Sequence, residues 1–140
     1  MKLNQDKVRK ISSEISMAAQ RLKELKELSK EDFFADPHKI GSAKYHLIVA
    51  IEGMIDLCNH IIAKNAFRTP ESYADTFKVM AENGAFSKNF LETLVRMARF
   101  RNRLIHIYWE VDNNEIYNII QTRLEDINVF LEFFGAFIDL

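Results

Sequence analysis

The chain has 140 residues, of which 48% are hydrophobic, and its formal net charge at pH 7 is −1. That length suits one domain with a hydrophobic core of its own, so we expect a single helical domain over residues 1–140. The near-zero net charge excludes a general attraction to nucleic acids or membranes, and any such contact therefore needs a local basic surface. A single cysteine, Cys58, excludes an internal disulfide and gives no zinc-site spacing.

The first predicted element is a long amphipathic helix over residues 4–28, where apolar residues recur at three- and four-residue steps. Residues 29–35 are predicted as a connection, and its two phenylalanines are expected to pack against the core. A second helix begins at Asp36 and Pro37, because aspartate is a favoured N-cap and proline a favoured first helical residue. This helix runs to about residue 65 and is apolar around most of its circumference, which indicates a central position in a bundle.

The most apolar part of the second helix, residues 47–63, is interrupted by polar side chains at Glu52, Asp56, Asn59 and His60. These interruptions predict a buried helix of a bundle rather than a membrane span. The N-terminal sequence also lacks the apolar core of a signal peptide. We therefore expect a cytoplasmic protein without membrane association.

Three further helices are predicted in the second half of the chain. Residues 69–71 start a short helix that Asn-Gly at residues 83–84 ends as a C-cap. A fourth helix begins at Ser87 and weakens within residues 105–111, where β-branched and aromatic residues accumulate. Residues 112–115 resemble a capping box and begin a final long helix. The predicted fold class is all-α, an up-and-down bundle of four main helices plus one short helix.

The fourth helix ends in a stretch that is dense in arginines, aromatic residues and one histidine. Each residue of an ideal helix advances by about 100°, which places Arg101 in the middle of the apolar face. A buried arginine must find a partner for its charge or it destabilises the fold. Residues that oppose local preference in this way tend to mark functional sites.

Two carboxylates are candidates for the partner of Arg101. Glu52 and Asp56 stand four residues apart on the polar stripe of the second helix. This stripe could instead face solvent, but the apolar segments offer Arg101 no other evident partner. Because arginine pairs well with carboxylates through its planar donors, we predict that Glu52 or Asp56 compensates its charge.

The opposite side of the fourth helix carries Arg96, Arg99, Asn102, Arg103 and His106. A basic helix face can bind phosphates even on a neutral protein. Asn102 and His106 stand four residues apart, so they are neighbours on a helix and could share one phosphate. Histidine suits acid or base chemistry near neutral pH, and arginine suits a phosphoryl group whose negative charge grows in the transition state.

The arrangement of Arg101, Asn102, His106 and Tyr108 resembles the Rx4–6H motif of the HEPN superfamily, in its four-residue form. Its H-x-Y ending resembles that of HepT-like toxins, which are ribonucleases encoded beside a minimal, MntA-like nucleotidyltransferase antitoxin. The helix pattern resembles this family over essentially the whole chain, whereas only this stretch is specific to it. The resemblance implies a metal-independent endoribonuclease toxin that needs no cofactor, with Arg101, Asn102 and His106 as catalytic residues.

The resemblance also implies an assembly and a means of control. On an ideal helix Arg101 lies about 140° from His106. Both can therefore reach one phosphate only if the helix ends before His106, or if a second subunit brings its own motif alongside. HEPN ribonucleases pair two motifs across a homodimer cleft, which implies the second arrangement. In the HepT-like group the tyrosine matching Tyr108 receives AMP from the nucleotidyltransferase, which implies that Tyr108 is the AMP acceptor and that its modification silences the toxin.

Three arginines, Arg96, Arg99 and Arg103, are candidates to contact the RNA backbone, although a charged helix face is more often simply solvated. Trp109 has two interpretations, packing in the protein or stacking on an RNA base. An alternative function is a non-catalytic helical module that binds a minimal nucleotidyltransferase and its substrate. The intact arginine and histidine of the motif favour the nuclease.

Overall fold

The computed structural model describes residues 1–139, and within them the chain forms seven α-helices and one 3-10 helix. No β-strand occurs among these residues, so the predicted all-α class is confirmed. The α-helices are α1 (Gln5–Lys26), α2 (Lys30–Ala35), α3 (Pro37–Lys64), α4 (Tyr73–Glu82), α5 (Lys88–His106), α6 (Asn113–Thr122) and α7 (Glu125–Ile138). The 3-10 helix, Tyr108–Glu110, lies between α5 and α6.

The central element is α3, which packs against α1, α2, α4, α5 and α6. Its buried residues lie on several sides of the helix, as its apolar circumference predicted. Within the described residues, α3 alone is long and apolar enough to cross a membrane, and 61% of its most apolar window is buried inside the bundle. Burial in the core therefore accounts for its composition.

The helix pattern differs from the prediction at two places between residues 29 and 73. The predicted connection contains the short helix α2, because the Ser29 side chain caps it by accepting a hydrogen bond from the N–H of Asp32. Helix α4 begins at Tyr73 rather than within residues 69–71. Its N-cap is Ser72, whose side chain accepts from the N–H of Asp75.

The predicted single C-terminal helix is wrong, because the chain forms two helices, α6 and α7. The backbone leaves the helical conformation at Arg123, with φ −122° and ψ 0°. The next turn is closed by bonds to residues three positions earlier, from Asp126 to Arg123 and from Ile127 to Leu124. With α2 and this division, the four main helices and one short helix of the prediction become seven.

A close approach of α1 to α3 fixes the part of α3 that carries the polar stripe. A Cβ atom added to Gly53 would lie 2.5 Å from Cγ1 of the fully buried Ile15. Only glycine leaves room for α1 at this distance. Because Gly53 follows Glu52 directly, the packing of α1 against α3 also positions the Glu52 backbone.

Candidate active site

The motif occupies the end of α5, and residues at each end of this helix determine where it begins and ends. Ser87 caps the helix as predicted, since its side chain accepts a hydrogen bond from the N–H of Phe90. The helix continues through His106 and ends at Ile107, where the backbone has φ −134° and ψ 44°. Arg101 and His106 therefore lie on one continuous helix, which does not end before the histidine.

Arg101 is nearly buried, with only 12% of its side chain exposed, and Glu52 is its ionic partner. Nη2 and Nε of Arg101 donate to Oε1 of Glu52 at 2.7 and 3.2 Å. Nη1 donates to Oδ1 of the adjacent Asn102 at 3.1 Å. The guanidinium also lies over the ring of Tyr73, with Cζ 4.6 Å from the ring centroid. Arg101 thus contacts α3, α4 and its own helix at once.

Asp56, the other predicted partner, is exposed and makes no ion pair with Arg101. Partial burial and the neighbouring carboxylates of Glu52 and Glu14 raise its pKa, against the opposing effects of Lys7 and Arg101. Of the two predicted partners, only Glu52 forms an ion pair with Arg101. Glu52 compensates the arginine directly, whereas Asp56 contributes only to the negative charge around it.

Asn102 and His106 line a polar cleft of about 540 Å³ between α5, α3 and the start of α4. His106 is exposed, and no hydrogen bond to its ring occurs within residues 1–139. Opposite it, the hydroxyl of the buried Thr76 lies 3.1 Å from Oδ1 of Asn59. The remaining lining residues are Pro70, Glu71, Ser72 and Tyr73.

The cleft is suited to a hydrogen-bonding ligand. It combines an imidazole, side-chain amides, hydroxyls and the Glu71 carboxylate in a space that solvent can enter. No group of three or more histidine, cysteine, aspartate or glutamate side chains in the described part of the chain is arranged to hold a metal ion. Proton transfer and hydrogen bonding are the chemistry that these side chains can provide.

The three predicted RNA-binding arginines lie away from this cleft. Arg96, Arg99 and Arg103 line a second cavity of about 420 Å³ between α3, α5, α6 and α7, whose walls are largely aliphatic. Arg103 donates to both carboxylate oxygens of Glu115, at 2.7 and 3.0 Å, so its charge is already paired. Arg96 and Arg99 are exposed. Arg123 joins them at the cavity, and the sequence did not single it out because it lies 20 or more residues away, at the break between α6 and α7.

Tyr108 and Trp109 lie on the 3-10 turn that follows α5. Tyr108 is 60% exposed and Trp109 is 68% exposed, and their rings meet edge to face with centroids 5.4 Å apart. Trp109 is therefore not packed in the core, contrary to one of its two interpretations. The two rings form an exposed aromatic pair next to the motif.

Comparison with known proteins assigns the fold to a family. The family model for Ribonuclease HepT-like proteins matches residues 15–134. The chain belongs to the HepT-like family. The matched region includes Glu52, Tyr73 and the whole motif from Arg101 to Tyr108 of this HepT-like protein.

Individual relatives are similar at lower identity. The mRNA nuclease HepT of Shewanella oneidensis is 29% identical over 85 residues, which are 61% of this chain and 64% of that relative. A tri-AMPylated Shewanella oneidensis HEPN toxin, solved in complex with an MNT antitoxin, superposes with a TM-score of 0.86 at 24% identity, over 94% of this chain and 98% of that chain. YutE of Bacillus subtilis, a cytosolic protein of unknown function, superposes with a TM-score of 0.81 at 16% identity, over 98% and 92% of the two chains. These likenesses show that the HepT-like chain has the HEPN fold.

Proposed function

We propose that this protein is a metal-independent endoribonuclease and the toxin of a toxin–antitoxin pair. The observation that carries the proposal is the polar cleft where His106 and Asn102 lie one helical turn apart, with Arg101 held next to Asn102 by Glu52. Membership of the HepT-like family supports RNA as the substrate. The relative named as an mRNA nuclease supports the same class of reaction.

The reaction needs three roles to be filled. A base removes the proton of the ribose 2′-hydroxyl, whose oxygen attacks phosphorus, while an acid protonates the 5′-oxygen as the P–O5′ bond breaks. The products are a 2′,3′-cyclic phosphate and a 5′-hydroxyl. His106 supplies the imidazole of the cleft, the kind of side chain that serves as a general base or a general acid. Asn102 and the charge of Arg101 stabilise the negative charge that develops on the phosphoryl oxygens.

We infer that the active form is a homodimer. One chain brings a single histidine to its cleft, whereas the reaction needs both a base and an acid. A second copy of the motif supplies the second imidazole. The exposed aromatic pair at Tyr108 and Trp109, directly beside the motif, supports a protein or RNA contact at this end of α5.

The proposal extends to a nucleotidyltransferase antitoxin of the MntA type, which attaches AMP to Tyr108. The exposure of this tyrosine on a short turn supports the assignment, since a modifying enzyme must reach its hydroxyl. The added phosphate brings negative charge next to the arginines of the motif, which repels RNA phosphates. Both partners are expected in the cytoplasm. Incubation with such an enzyme and ATP should add AMP to the wild type and none to Tyr108→Phe at this site.

Cleavage of RNA in EDTA by the purified protein tests the nuclease proposal. We expect the wild type to leave 2′,3′-cyclic phosphate ends and His106→Ala to lose activity by about 10²- to 10⁴-fold. His38→Ala is the matched control, since His38 is an exposed histidine outside the cleft. Intact mass must first show that the sample carries no AMP. A folded, dimeric, unmodified protein that leaves RNA intact would favour the alternative, a non-catalytic module that binds a nucleotidyltransferase and its substrate.

A further inference from the structure

We propose that Arg101 is a positioning residue that sets the orientation of the Asn102 amide, and that Tyr73, outside the motif, holds Arg101 in place for this purpose. The inference deepens the proposed ribonuclease function and rests on it for its consequence in catalysis. The orientation of the Asn102 amide is a claim about the protein without RNA and does not depend on that function. It assigns to Asn102, rather than to Arg101, the direct contact with a phosphodiester oxygen in the cleft.

The hydrogen bonds of Arg101 show where its donors are directed. An arginine has five N–H donors and no acceptor. Nε and Nη2 donate to Oε1 of Glu52, and Nη1 donates to Oδ1 of Asn102. Arg101 is only 12% exposed, and it is not among the residues that line the cleft. Its contact with the cleft therefore passes through its neighbours.

In the hydrogen bond between Arg101 and Asn102, the arginine must be the donor. Because arginine cannot accept a hydrogen bond, the Asn102 amide must present its oxygen to Nη1. The amide nitrogen then points the other way, and within residues 1–139 it donates to no other group. Asn102 lines the cleft one helical turn before His106. The amide consequently offers its N–H donors beside the imidazole, where a non-bridging phosphate oxygen would accept them.

Tyr73 contacts the guanidinium through its aromatic face. Cζ of Arg101 lies 4.6 Å from the ring centroid, a distance at which the cation is attracted to the ring. The edges of the guanidinium are bound by Glu52 and Asn102, so the ring limits motion out of its plane. The Tyr73 hydroxyl makes no hydrogen bond in the described part of the chain. The ring rather than the hydroxyl should therefore carry the effect.

A double-mutant cycle on RNA cleavage tests the functional part. We expect Tyr73→Leu to lower kcat by about tenfold with little change in KM, because it loosens a group that acts in the transition state. Tyr73→Phe, which keeps the ring, should restore most of that loss. In an Asn102→Ala background the Tyr73→Leu substitution should have no further effect, because its target is gone. If the loss of kcat in the double variant equals the product of the losses in Tyr73→Leu and Asn102→Ala, the two residues act independently and the inference is overturned. Tyr45→Leu is the matched control, since Tyr45 is an exposed tyrosine outside the cleft.

The side-chain amide signals of Asn102 in the nuclear magnetic resonance spectrum of the free protein decide the structural part without any RNA. We expect Arg101→Lys and Tyr73→Leu to shift and broaden these signals, and Tyr73→Phe and Tyr45→Leu to leave them in place. Arg101→Lys keeps a positive charge for Glu52, and circular dichroism checks that the variant is folded. Unchanged amide signals in Arg101→Lys would overturn the inference. Shifted signals in a protein that leaves RNA uncut would sustain it while the ribonuclease proposal fails.

Discussion

Glu52 holds Arg101 through a single oxygen, since Oε1 accepts from both Nη2 at 2.7 Å and Nε at 3.2 Å. The pair joins α3 to α5 across 49 positions of sequence. Arg101 is 12% exposed and Glu52 is 42% exposed, so the arginine is the more desolvated partner. Loss of the carboxylate therefore leaves a positive charge with little water to replace it.

Glu52→Ala should consequently lower the free energy of unfolding by about 1–3 kcal/mol, because it leaves the desolvated guanidinium without its acceptor. Chemical denaturation followed by circular dichroism measures this change. Asp56→Ala is the matched control, and we expect no loss there because Asp56 is exposed, makes no ion pair with Arg101 and has its charge disfavoured by nearby carboxylates. Equal destabilisation by both variants would show that Glu52 has no special role.

Two glycines of α3 should respond in opposite directions to the same substitution. A Cβ at Gly53 meets Ile15 at 2.5 Å, whereas one at Gly41 meets nothing within 4 Å. Gly53→Ala should destabilise the protein by about 1–3 kcal/mol through overpacking. Gly41→Ala should stabilise it by about 0.5–1 kcal/mol, because alanine loses less backbone entropy in a helix. Thermal unfolding of both variants is the measurement, and a stabilised Gly53→Ala would refute the close approach of α1.

Arg99 and Arg103 should differ in their contribution to RNA binding. Arg103 is paired with both oxygens of Glu115, whereas Arg99 is exposed with no ion pair in the described part of the chain. For a non-cleavable single-stranded RNA, Arg99→Gln should reduce the slope of log affinity against log salt by about 0.7. Arg103→Gln should change it less, since Glu115 already neutralises that charge. Binding at several salt concentrations checks this, and equal slope changes would contradict it.

Acid stability should depend on Asp75, which binds Arg68. The guanidinium of Arg68, followed by the N–H of Glu71, holds the pKa of Asp75 at about 2, below its ordinary value of 3.8. Because the folded pKa is the lower one, the ionised carboxylate stabilises the fold above the ordinary pKa, and this stability is lost as the pH falls towards 2. The difference in unfolding free energy between wild type and Asp75→Asn should therefore shrink from pH 5 to pH 2.

Denaturant titrations at four or five pH values measure that difference. Glu132→Gln, at an exposed carboxylate that does not bind Arg68, serves as the control. A gap between wild type and Asp75→Asn that stays constant down to pH 2 would mean that Asp75 is not held by Arg68 in solution.

The features that the sequence predicted well depend on short-range chemistry. Asp36, Ser87 and Asp112 all cap helices as expected, because each side chain bonds to an N–H two or three residues ahead. The central position of α3 followed from its apolar circumference. In each case the deciding residues belong to one helix or to its N-cap.

Features that depend on how the helices pack against one another could not be predicted from the sequence. Glu52 and Asp56 are one turn apart on α3, and only the placement of α5 decides which one meets Arg101. Tyr73 is remote from Arg101 in sequence and carries no local pattern that links them. The break at Arg123 lacks proline or glycine, so the apolar periodicity runs through it without interruption.

Trp109 is the only tryptophan in the chain, and it is 68% exposed on the turn beside the motif. Its indole is already hydrated in the native state, so its fluorescence will change little when the core unfolds, and melting curves recorded that way will miss the transition. A base, nucleotide or protein that covers the turn will instead dehydrate or quench it. The intrinsic emission of this protein is therefore a reporter of recognition at the end of α5 rather than of folding.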